Sequence, residues 1–140
     1  MRGIFLNSLL EKNADVSSLS PLTLAFIGDT VFDLLVRSEL VCEANRPVNA
    51  LHKAASTKVC ASAQAAAITK IMPLLTENEE AVFKRGRNAR TGGIPKNQSS
   101  ADYHYATGLE CLLGWLYLKG ETERIKELYN AMHIDGDVSE

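Results

Sequence analysis

Ser20-Pro21-Leu22-Thr23-Leu24-Ala25-Phe26-Ile27-Gly28-Asp29-Thr30-Val31-Phe32-Asp33-Leu34-Leu35-Val36 is the stretch on which the fold turns. Serine followed by proline is a strong helix start. The serine hydroxyl accepts from an orphan backbone N–H, and proline presets φ where no donor is needed. From there apolar residues recur at Leu24, Phe26, Ile27, Val31, Phe32, Leu35 and Val36 toward Leu40, at helical rather than strand spacing. The segment is apolar nearly all round, which predicts a central, buried helix.

The pattern continues outward in the same way. Pro47 begins a second helical region, from Leu51 through Val59 and Ala66 to Ile71, whose alanines suit close helix contact. Thr76-Glu77-Asn78-Glu79 has the form of a capping box and opens a short helix through Ala81, Val82 and Phe83. Thr91-Gly92-Gly93-Ile94-Pro95 reads as a loop. Ser99 or Ser100 then caps a long helix through Tyr105, Leu109, Leu112, Leu113, Leu116 and Leu118, ending at Gly120. Glu121 to Met132 carries Ile125, Leu128, Tyr129 and Met132 at helical spacing, and the tail after Ile134 is expected to fray. With no repeat or linker, residues 1–140 read as one all-α domain.

Composition agrees. The 140 residues are 46% hydrophobic and 23% charged, which excludes a disordered chain and suits one domain with a real core. The longest apolar run, Cys111–Leu118, is far short of the roughly 20 residues of a membrane span. Residues 1–8 lack a signal-peptide pattern. Cys42, Cys60 and Cys111 are odd in number, widely spaced and set in apolar segments, as expected of reduced packing residues in a cytoplasmic protein. A net charge of -2 would argue against a polyanionic partner. The total hides a local excess, however: residues 84–96 hold five positive charges and no acid.

Two constellations carry chemistry. Asp29 follows Gly28 inside the apolar helix, and Glu110 sits likewise in Leu109-Glu110-Cys111-Leu112-Leu113-Gly114-Trp115. A buried carboxylate must be paired, hydrogen-bonded or protonated. Patterning alone favours pairing with nearby bases. The sharper reading is a hard-cation site in which carboxylates from two helices hold Mg²⁺, with Asp33 one turn beyond Asp29 on the same face. Gly28 between them would let another backbone or a substrate approach closely.

The basic run is Lys84-Arg85-Gly86-Arg87-Asn88-Ala89-Arg90, continuing through the loop to Lys96-Asn97. Cations at a helix C-terminus complement the dipole, which accounts for the first two. A run that continues into a Gly-rich loop fits phosphate or RNA contact better. His52 and Lys53 could add a second polar face, although an exposed helix flank explains them equally well. His104 reads as packing near a helix start and His133 as surface. The chain contains no Gly-rich nucleotide fingerprint, paired-Cys zinc spacing or Gly-x-Ser-x-Gly elbow.

Together these motifs resemble the ribonuclease III family. Ala25–Phe32 resembles the signature of its catalytic domain, in which a helix carries Gly-Asp at the active site. Leu109–Leu118 resembles the later helix, in which a glutamate precedes an apolar Leu-x-Gly pattern. Lys84–Ala89 and Pro95-Lys96-Asn97 are similar to the Mini-ribonuclease III branch, which has this catalytic domain and no double-stranded-RNA-binding domain. The likeness covers roughly residues 18–132.

The resemblance implies an all-α helical homodimer acting as a Mg²⁺-dependent endoribonuclease on double-stranded RNA. The two sites would cut opposite strands across the minor groove and leave 5′-phosphates and 3′-hydroxyls. It implies Asp29 and Glu110 as catalytic, metal-binding acids, and a precursor 23S ribosomal RNA stem as substrate, with a ribosomal protein as a candidate partner that shapes the RNA. RNA contacts would fall to Lys84, Arg85, Arg87, Asn88, Arg90, Lys96 and Asn97, with His52 and Lys53 as weaker candidates. The chain departs from the larger enzymes at Leu22, Ala25 and Thr107, where they carry acids. Asp33 is the candidate to replace a lost ligand. The competing expectation is a catalytically inactive member of the fold, serving as an RNA-binding or ribosome-associated module.

Overall fold

Ser20 starts the first helix as its chemistry dictates, its hydroxyl accepting from the Thr23 N–H at 3.2 Å with Pro21 in the first turn. The computed structural model describes residues 9–10, 14–89 and 99–133. The expected loop at 91–95 and the tail after Ile134 therefore lie outside the described residues, as do Arg90, Lys96 and Asn97. Among the described residues the elements are α1 (Pro21–Glu43), α2 (Val48–Val59), α3 (Ala61–Ile71), α4 (Glu77–Arg87), α5 (Ser100–Leu118) and α6 (Thr122–Ala131), with short 3-10 turns at Val16–Ser18 and Met72–Leu74. No strand occurs among them, and no helix among them is long and apolar enough to cross a membrane.

The sequence predicts one helical region after Pro47, but the chain breaks it at Cys60, which is extended (ψ 163°) between α2 and α3. Alanine suits a helix on either side of the break, so periodicity could not mark it. The Gln64 amide Nε2 donates to the Val59 carbonyl at 3.0 Å, satisfying one of the last acceptors of α2. The Thr76 capping box forms in full, with Thr76 Oγ1 accepting from Glu79 N at 3.1 Å and Glu79 Oε1 from Thr76 N at 3.0 Å. Ser99 caps α5 by accepting from Asp102 N. After α5 the chain turns at Gly120, whose φ of 78° favours glycine.

α5 is the central rod, with α1, α3 and α4 packed around it. Its Leu109, Leu112 and Leu113 are fully buried among Phe32, Val36, Ile68, Ile71, Phe83 and Leu128. The expectation that α1 is buried all round is corrected: Leu22, Phe26, Leu34 and Val41 are 40%, 80%, 56% and 62% exposed. α1 spends one face on α5, and no described element covers the opposite face. The cysteine expectation is corrected too. Only Cys111 is buried, whereas Cys42 and Cys60 are exposed.

Glu79 does more than cap α4. Its buried carboxylate receives Arg124 Nε and Nη2, both at 2.9 Å, while Nη2 also reaches the Leu74 carbonyl at 2.9 Å. The arrangement ties α6 to α4 and to the turn before it. The Arg124 guanidinium holds the Glu79 carboxyl below the usual carboxylate range, against the opposing effect of burial. Arg124→Ala strands that carboxylate and is expected to cost about 3 kcal/mol at pH 7 by urea denaturation. A folded-state pKa lowered below the unfolded one stabilises the protein above the unfolded value and ceases to do so as pH falls through the folded value. The gap between parent and variant is therefore widest near neutrality and narrows in acid.

Candidate active site

The crossing of α1 over α5 is set by two glycines. A Cβ on Gly28 would lie 1.7 Å from the Glu110 carbonyl oxygen and 2.8 Å from Gly114 N. A Cβ on Gly114 would lie 1.9 Å from the Leu24 carbonyl oxygen. The backbones touch, with no room for a side chain between them. Gly28 immediately precedes Asp29, and its contact is with the main chain of Glu110, so the packing contact itself brings the two acids to one place.

Asp29 and Glu110 line a single cavity of about 300 Å³, shared with Val59, Cys60, Ala61, Gln64, Tyr103, Ala106 and Thr107. The burial expected from the sequence is corrected here: Asp29 is exposed and Glu110 half-buried. α1 turns Asp29 toward the open side of the crossing rather than into the core. The bases that patterning offered as partners are engaged elsewhere, Arg37 with Asp33, Lys84 with Glu80, and Arg124 with Glu79 and Glu127. Asp33 is not among the cavity-lining residues, and its carboxylate faces Arg37 at 3.1 Å, one turn along α1.

Three polar wall residues were not singled out as site residues. Gln64 is 2% exposed and its Oε1 has no hydrogen-bond partner among the described residues. Its signal was faint: one amide in Ala61-Ser62-Ala63-Gln64-Ala65-Ala66-Ala67. Tyr103 lies one helical turn before Thr107, whose hydroxyl donates to the Tyr103 carbonyl at 3.0 Å. Cys60 stands at the start of α3, where the Ser62 hydroxyl and the Ala63 N–H lower its thiol pKa. Cys111, by contrast, is pushed up to about 11 by burial.

The basic candidates lie on other surfaces. Lys84 and Arg85 are exposed on α4, and Arg87 lies over the Phe83 ring, 5.8 Å from its centroid, with Nε donating to Asn88 Oδ1 at 3.1 Å. His52 and Lys53 are exposed on α2, outside the Asp29–Glu110 cavity. His133 is more than surface, since it meets Glu39 at 3.4 Å and its Nδ1 lies 2.8 Å from the Tyr129 carbonyl oxygen.

No group of three or more His, Cys, Asp and Glu side chains among the described residues is gathered to hold a metal. The cavity offers two carboxylates, a hydroxyl and a buried carboxamide oxygen that lacks a donor. These are hard oxygen donors, too few for an all-protein cage. They fit a small divalent cation that keeps several of its waters.

Comparison with known proteins decides the family. The Ribonuclease III domain matches residues 22–121. The chain belongs to the ribonuclease III family. It is 47% identical over 128 residues to the Mini-ribonuclease 3 of Thermoanaerobacter sp. (strain X514), covering 91% of this chain and 90% of that one. It is 45% identical over 118 residues to the Mini-ribonuclease 3 of Symbiobacterium thermophilum, covering 84% and 91%. The fold matches a crystal structure of a Fusobacterium nucleatum protein with a TM-score of 0.79 at 30% identity, over 90% of this chain and all of that one. As a ribonuclease III family member of this branch the chain is an endoribonuclease.

Proposed function

We propose that this endoribonuclease is Mg²⁺-dependent and hydrolyses double-stranded RNA at the Asp29–Glu110 cavity, maturing the ends of the 23S ribosomal RNA precursor in the cytoplasm. The observation that carries the reading is the glycine-set crossing that places two carboxylates from different helices on one cavity. When bound there, Mg²⁺ would offset phosphate charge and lower the pKa of a water for attack on phosphorus. Asp29 and Glu110 would hold the ion, and the exposure of Asp29 leaves the site open to a backbone as wide as duplex RNA. Attack breaks the P–O3′ bond and leaves a 3′-hydroxyl and a 5′-phosphate. Asp33 enters as a supporting acid that helps retain the cation from one turn away.

A homodimer is part of the proposal. Leu22, Phe26, Leu34 and Val41 form an exposed apolar face along α1, and Asp29 sits at its edge. Pairing two such faces would bury them and bring the two cavities to one side of the dimer, as cutting both strands requires. Lys84, Arg85, Arg87 and Asn88, with Arg90, Lys96 and Asn97 beyond them, would hold phosphates, and His52 and Lys53 would extend the contact. A-form RNA is read largely by shape and backbone, which suits such a surface. A ribosomal protein would act by shaping the stem before cleavage.

The test is incubation of the protein with the paired-end stem of precursor 23S RNA and Mg²⁺, with an EDTA control, naked and bound by ribosomal protein. Cleavage with 5′-phosphate products is expected, and it should cease in EDTA. Failure to cut any duplex RNA with Mg²⁺ overturns the proposal, and binding without cleavage assigns the inactive module instead. Arg85→Ala with Arg87→Ala is expected to weaken RNA binding and reduce the salt-dependence slope by about 1–2. An unchanged slope would make these residues a helix terminus only.

A further inference from the structure

Gln64 is the one amide in the wall of the Asp29–Glu110 cavity, and its two ends behave differently. Nε2 donates to the Val59 carbonyl at 3.0 Å, which fixes the orientation of the group. Turned over, Oε1 would face another carbonyl oxygen. Oε1 is covered and has no partner among the described residues, although the side chain is only 2% exposed. Buried acceptors are nearly always satisfied, so an unmet one calls for a donor. The neighbouring wall hydrogens are spent. The Thr107 hydroxyl donates to the Tyr103 carbonyl at 3.0 Å, and the Cys60 thiol lies against the Thr57 carbonyl and the Ser62 hydroxyl.

We infer that Gln64 is a positioning residue for the Asp29–Glu110 centre, its amide oxygen taking a hydrogen bond from water that accompanies the cation in the cavity. The inference rests on the nuclease reading of that cavity. A small divalent cation held by two carboxylates keeps several waters, and their hydrogens need fixed acceptors. A carboxamide supplies one without adding a third negative charge. The same side chain ties the end of α2 to α3 through Nε2, so structural and positioning roles reside on different atoms and can be separated.

Gln64→Met removes both atoms and keeps the length of the side chain. Gln64→Glu keeps an acceptor oxygen and loses the Nε2 donor. In RNA-free protein titrated with Mn²⁺ alone and followed by electron paramagnetic resonance, Gln64→Met is expected to bind the ion about 10-fold more weakly. Its kcat on duplex RNA should fall by a similar factor with KM unchanged. Gln64→Glu should restore Mn²⁺ affinity to at least the parent level while losing thermal stability in EDTA, because the bond to Val59 is gone. Parent-like Mn²⁺ affinity in Gln64→Met, or a 10-fold loss in Gln64→Glu, overturns the inference. If Gln64→Met does not fold, the Gln64→Glu titration decides alone. A parent protein whose Mn²⁺ binding is untouched by Asp29→Asn, and which cuts no RNA, would instead overturn the nuclease reading.

Discussion

Gly28→Ala is expected to destabilise the protein by about 4 kcal/mol or more, measured by chemical denaturation with circular dichroism. One methyl group is ordinarily a small change, and alanine gains roughly 1 kcal/mol over glycine in helix propensity. Here the added Cβ would stand 1.7 Å from the Glu110 carbonyl oxygen and 2.6 Å from its carbon. Both are main-chain atoms of a buried helix, so no rotamer change relieves the overlap. α1 must instead move off α5, and that movement opens the contacts of Leu24, Phe32 and Val36 with the core. Gly114→Ala should act in the same way, because its Cβ would reach the Leu24 carbonyl oxygen at 1.9 Å. A Gly28→Ala protein within 1 kcal/mol of the parent would show that the crossing is looser than these distances imply. Cleavage should suffer as well, since any shift of α1 separates Asp29 from Glu110.

Asp29→Asn is expected to leave the fold intact and lower kcat on duplex RNA by about 1,000-fold, roughly 4 kcal/mol of transition-state stabilisation. The side chain is exposed, so its replacement by an isosteric amide should change stability by no more than about 0.5 kcal/mol. Glu110→Gln should lose activity to a similar extent. The double variant should be little worse than either single one, because the two acids act as one unit on one cation. Single-turnover rates with saturating Mg²⁺ measure the effect. If Asp29→Asn retained one tenth of the parent rate, or if the two losses multiplied, the shared-cation reading would fail. The contrast between the two predictions is diagnostic. Adjacent residues give a folding defect at position 28 and a chemical defect at position 29.

That adjacency also explains what could be read in advance. Gly28-Asp29 was legible because glycine and aspartate are both out of place in an apolar helix, and Glu110 stood out for the same reason. The helix starts at Ser20, Thr76 and Ser99 were legible because capping is local chemistry between a side chain and N–H groups two or three residues on. The break at Cys60 was not, since alanine-rich sequence on either side suits a helix equally well. Nor were Gln64, Cys60 and Tyr103 as cavity residues. Each is unremarkable in its own segment and becomes informative only when α3 and α5 stand side by side. The reading of Asp33 as a partner of Asp29 counted helical periodicity along α1 without the alternative on the same helix, Arg37, at a spacing equally suited to an ion pair.

By itself, then, the sequence determined the all-α class, most helix boundaries, and the two acids marked by their apolar surroundings, because periodicity, capping and residue type act over a few residues. Only the tertiary structure decided that those acids are open to solvent rather than buried, that one face of α1 is left uncovered, and that an unsatisfied amide stands in the same wall. Each of these depends on which helix faces which and how closely. That distance is set where Gly28 and Gly114 let two backbones touch.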